Sequence, residues 1–131
     1  MEILLELLKT DQNEPFTGYF YPREVVVRAV DSFDKRIRAN ECIPGEYTPP
    51  HSDNANLINF KKVSHMVKHV WLEANTVVAK VKLLGHYAEM AQAGWHFQGF
   101  VRDFVQIDDE KRVTLSNIVT IDLRYEEKEV Q

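Results

Sequence analysis

Cysteine is almost absent: Cys42 is the only one in 131 residues. An internal disulfide and a Cys-rich zinc site are therefore excluded, which fits synthesis in a reducing cytoplasm. Cys42 itself is expected to be a small buried apolar side chain. Long hydrophobic runs are also missing, since no segment approaches the roughly 20 apolar residues of a membrane helix. Residues 1–8 are apolar, but Glu2 and Glu6 interrupt them, and no basic region or small-residue cleavage site marks a signal peptide. Positive charge is scarce and scattered. Sixteen Lys and Arg against twenty Asp and Glu give a net charge of −4, and no basic stripe suggests a nucleic-acid backbone as partner. The four serines, Ser32, Ser52, Ser64 and Ser116, all lack the Gly-x-Ser-x-Gly context of a nucleophile elbow. Repeats, low-complexity segments and linkers are lacking too. The expectation is one soluble domain over 1–131, burying about two thirds of its unfolded surface.

Periodicity supplies the elements. Residues 3–8 suit a strand or a helical turn equally. Pro22 fits the first position of a helix, and Val26, Ala29, Val30, Phe33 and Ile37 recur at helical spacing. Arg23, Arg28, Asp31, Asp34, Lys35 and Arg38 fill the opposite face, predicting an amphipathic helix over about 22–39. Residues 43–59 hold Pro44, Gly45, Pro49, Pro50, Asn54 and Asn56, the composition of a long irregular loop. From Val63 the chain alternates, with Val63, His65, Val67, His69 and Trp71 on one face. A turn at 73–75 and a second β-rich run at 76–84 make a hairpin. A short helix over about 87–93 stops at Gly94. Two more β-rich segments, 100–107 and 113–125, flank a charged turn at 108–112. The result is an α+β domain with mostly antiparallel strands.

Chemistry is thin by this reading. His65 and His69 share a strand face but sit about 13 Å apart, too far for one ion, so no metal and no cofactor is expected. Ser64 and His65 are adjacent on a strand and should point to opposite faces, which rules them out as a nucleophile and its base. Glu46 is expected to be solvated or to cap backbone donors in its loop. Trp71 and Trp95 are read first as core residues and second as interface anchors.

Several landmarks in fixed order carry a resemblance: Tyr21-Pro22, Gly45-Glu46, Pro50, Trp71, Asn75, Val77, Ala93-Gly94-Trp95 and Asp122. Together they resemble the prohead maturation proteases of T4-type tailed phages, across most of the domain but with few identities. The resemblance implies a strand at 3–8 and a compact β-barrel-like core flanked by helices, similar to the herpesvirus assembly proteases. It also implies a Ser-His-Asp site, in which serine attacks, histidine takes its proton and aspartate orients the histidine. The family's Gly-Glu-x-x-His-Pro loop reads Gly45-Glu46-Tyr47-Thr48-Pro49-Pro50 here, so Pro49 stands at the general base, with His51 two residues on. The Ser-Ser-Arg-Gly that follows Ala-Gly-Trp falls on Phe100, Val101, Arg102 and Asp103. Asp122 matches the third member. Tyr47, Thr48, Phe97, Phe100 and Arg102 would line the remnant cleft, with Phe100 read as a plug.

A fold kept without its catalytic residues is kept for its surface. The resemblance then implies a non-catalytic structural component of a phage head, minor capsid or decoration, found in the virion. Its partners would be the major capsid protein or other head proteins, and possibly a second copy of itself. An alternative is an inhibitor or regulator bound to the active prohead protease, and the least favoured is an active serine protease using His51.

Overall fold

The computed structural model describes residues 1–47, 58 and 60–125. In chain order its elements are β1 (Glu2–Lys9), α1 (Arg23–Asn40), β2 (Ile43–Glu46), a 3₁₀ turn (Phe60–Lys62), β3 (Val63–Glu73), β4 (Thr76–Leu83), α2 (His86–Gln92), β5 (Phe97–Ile107) and β6 (Val113–Tyr125). This is an α+β fold built on antiparallel pairing. One sheet runs β1-β4-β3-β2 and the other is the β5–β6 hairpin.

The sheets curl toward each other around one core. A single parallel bridge between Tyr47 and Leu123 joins β2 to β6. On the opposite side β1 packs against β5 without a strand ladder: a Cβ on Gly99 would press into the Leu5 and Leu7 side chains. Hydrogen bonding thus leaves the barrel-like arrangement open along the β1–β5 seam. Inside lie Leu5, Val67, Ala79, Val81, Ile121 and Leu123, all buried.

Helix α1 covers β3 and β6 with the apolar stripe expected of it: Val26, Ala29, Val30, Phe33 and Ile37 are buried. Pro22 precedes the first turn, and the Arg23 amide donates to the Asp11 carboxylate at 3.0 Å, so the cap comes from a residue outside the helix. Asp34, expected on the polar face, is instead buried. It accepts from the Val70 amide at 3.2 Å and pairs with Arg38 and His69. Burial alone would raise its pKa, but those partners hold the carboxyl below its ordinary range.

Four other expectations need correction. Residues 43–46 are not loop but strand β2, because Gly45 lets the backbone pass close to His65 and the Ile121 carbonyl, where any Cβ would collide. The face alternation of β3 breaks at a bulge between Val67 and His69, so Val67 and Val70 are both buried while His69 is exposed. Trp95 does not enter the core; it is 43% exposed just past the Gly94 turn that ends α2. Cys42 is half-buried rather than buried.

Candidate functional site

On β5 and β6 the cross-strand pairs set the site. Phe100 lies opposite Asp122, Arg102 opposite Thr120 and Gln98 opposite Arg124, so these six side chains share one face of the hairpin. Strand β2 meets that face from the side. The Thr120 hydroxyl donates to the Pro44 carbonyl at 2.7 Å, and the Glu46 amide donates to Asp122 Oδ1 at 3.0 Å.

At the centre is a buried arginine between two acids. Arg102 donates through Nε to Asp122 Oδ2 at 2.7 Å and through Nη2 to Asp122 Oδ1 at 2.8 Å, a bidentate fork. The same Nη2 reaches Glu46 Oε2 at 2.5 Å. Glu46 and Asp122 are each 1% exposed and Arg102 9%. Burial would lower the guanidinium's pKa, but the bonds to Asp122 and then Glu46 hold it above its ordinary value, so it stays charged. Glu46 is therefore not solvated. Asp122 is occupied by an ion pair with Arg102.

A cleft of about 470 Å³ opens beside this network along the β1–β5 seam, between Leu7 and Leu8 on one side and Phe100 and Arg124 on the other. A loop closes over it. Glu14 accepts from the Phe16 amide, the Thr17 amide and the Thr17 hydroxyl at 2.8–3.0 Å, folding the loop into a turn that sets Phe16 edge-on to Phe100 with 5.0 Å between ring centres. The Arg124 guanidinium lies over the Phe100 ring, 5.0 Å from its centre, and its Nε is buried without a hydrogen-bond partner. Further along β5, Asp103 accepts from the Ser116 hydroxyl at 2.6 Å and the Tyr21 hydroxyl at 3.1 Å. Burial raises the Asp103 carboxyl above its usual range despite those donors, and burial beside Asp103 pushes the Tyr21 phenol well up.

The expected cleft residues divide between two places. Phe100 and Arg102 sit together at the seam. Tyr47 and Phe97 meet elsewhere, in an aromatic group where Tyr47 lies 5.3 Å from Tyr87 of α2 and 6.3 Å from Phe97. Thr48, Pro49, Pro50 and His51 fall outside the described residues. Val101 is half-buried against the core.

Ser64 and His65 do not point apart as strand alternation predicts. The Ser64 hydroxyl lies 2.7 Å from His65 Nδ1, and His65 Nε2 lies 2.6 Å from the Ile121 carbonyl. A carbonyl only accepts, so Nε2 carries the proton and Nδ1 accepts from Ser64. Burial holds the imidazole pKa below its ordinary value, with the Ile121 bond and Asp122 opposing. Both side chains are fully buried, so no substrate carbonyl reaches the hydroxyl. Their pairing was hidden in the sequence because a short serine side chain beside an irregular strand escapes the two-residue period. The clue was available in Gly45, whose missing side chain makes room for the ring.

Three bonds from β2 and β3, involving Pro44, Glu46 and His65, therefore converge on 120–122 of β6, and Arg102 of β5 adds its fork to Asp122. No protein-family model and no curated protein matches the sequence. By fold the chain is similar to the solved structure of the bacteriophage T4 capsid assembly protease, gp21, with a TM-score of 0.78 over 95% of this chain and 81% of that one, at 15% identity. The chain thus has a prohead-protease-like fold.

Proposed function

We propose that this chain is a non-catalytic relative of the phage capsid assembly proteases and serves as a structural component of a tailed-phage head, in a minor capsid or decoration role. The observation that carries the reading is the occupation of the cleft. Phe100 stands where the family resemblance places a nucleophile, in contact with Phe16 and Arg124. Behind it the Asp122 carboxylate, matched to the third catalytic member, is consumed by Arg102. The one Ser-His contact among the described residues is sealed in the core. Phenylalanine and valine cannot attack a carbonyl, and an ion-paired aspartate has no imidazole to orient.

The likeness to a capsid assembly protease supports a place in head assembly. A relative without turnover acts by stoichiometric binding, with the major capsid protein or other head proteins as partners. A second reading, regulation of an active prohead protease, draws on the same likeness, because a chain sharing most of that fold can take the protease's place in the assembling core. Quantitative mass spectrometry of purified mature particles and immature proheads tests the proposal. High copy number in mature particles is expected. Presence in proheads alone would transfer the assignment to the regulatory reading, and absence from both would overturn each of them.

A further inference from the structure

Strand β5 has an outer edge that, over part of its length, no described strand pairs with. Among the described residues β5 pairs only with β6. Beyond β6, the backbone groups of residues 103–107 bond to no other described residue. Such an edge is normally protected by lysine, proline or a bulge on the edge strand itself. Here the sequence is Asp103-Phe104-Val105-Gln106-Ile107, with neither lysine nor proline. Asp103 turns inward to Tyr21 and Ser116. Both bulges of the hairpin put their extra residue, Val119 and Thr114, on β6, so β5 runs regularly. Its outer face carries two exposed apolar side chains beside Gln106 and Asn117: Phe104 is 49% and Leu115 44% accessible, and the pairing register places all four on the same face.

We infer that this edge pairs with the same edge of a second copy, antiparallel about a two-fold axis near Val105. An antiparallel edge is complementary to itself, so one patch serves both partners. The two β5–β6 hairpins would form one four-stranded sheet, with Phe104 of each copy diagonal to the other across the axis and Leu115 extending the apolar stripe on either side. Charge fits the same register. Five residues from Val105 in one direction lies Phe100, where the seam carries Glu14 and Arg124. Five residues in the other direction lies the turn, where Arg112 is taken by Asp108 and Glu110, leaving Asp109 and Lys111 without ion partners among the described residues. The two-fold brings each copy's turn to the other's seam, so one acid and one base meet one base and one acid. This pairing is independent of the head-component reading, since it would hold for a chain of any function with this edge.

Sedimentation velocity on the full chain tests it, with hydrogen exchange locating the interface. A reversible dimer is expected, with the amides of 103–107 exchanging more slowly as concentration rises. Phe104→Lys, which sets like charges across the axis on an exposed and well-tolerated position, should weaken the dimer by at least about tenfold. Asp109→Lys should weaken it in the same direction. A chain that stays monomeric up to about 1 mM, or a dimer that Phe104→Lys leaves unchanged, would overturn the inference.

Discussion

Removing the Arg102 guanidinium would leave Glu46 and Asp122 facing each other with their shared cation gone, and both are almost wholly buried. Breaking a buried ion pair from one side is far costlier than never having had it, because the stranded charge keeps its desolvation penalty. Arg102→Met is therefore expected to destabilise the fold by about 3–5 kcal/mol, read by urea denaturation at neutral pH. A loss under about 1 kcal/mol, the range of a surface pair, would mean that water reaches the network. The sequence singled out Arg102 and Asp122 by their positions, yet it could not pair them with each other. Glu46 was harder still. Its partners Arg102 and Asp122 lie 56 and 76 residues away, and a carboxylate among prolines looks solvated until the long-range contact is known.

At the scale of elements, His65 ties β3 to β6, and the tie has a sign with pH. Burial depresses the folded imidazole pKa below the ordinary value of 6.5, so the unfolded chain binds the proton more readily. Stability is then fully present above about 6.5 and falls as pH drops from there toward the folded value. Thermal melts between about pH 7 and 5 should show this fall in the wild type and a flatter response in His65→Gln, the difference between the two proteins isolating the imidazole. An identical slope in both proteins would remove His65 as its source. Elements themselves were largely legible in the sequence: the α1 stripe, the β3–β4 hairpin, the α2 stop at Gly94 and the β5–β6 hairpin all follow from local periodicity and turn chemistry. Strand β2 was not, because Pro44 and Gly45 read as loop and the glycine's reason lies in the tertiary approach of His65 and Ile121. The β3 bulge escaped for a related reason, since one extra residue leaves composition untouched while exchanging the faces.

For the whole molecule, the open β1–β5 seam contains Phe100 backed by the buried Glu46–Arg102–Asp122 network. Fold is separable from activity, so likeness to a capsid assembly protease leaves the chemistry to be decided by the residues present. Among the described residues, Ser116 is bound to Asp103, Ser64 is sealed beside His65 and Ser32 is on the exposed side of α1. The most direct measurement is labelling of the folded full-length chain with an activated phosphonate probe that reacts with nucleophilic serines, followed by mass spectrometry of the peptides. No serine should be labelled above the level of the denatured chain. Selective labelling of any serine in the folded protein, Ser52 included, would contradict a non-catalytic centre.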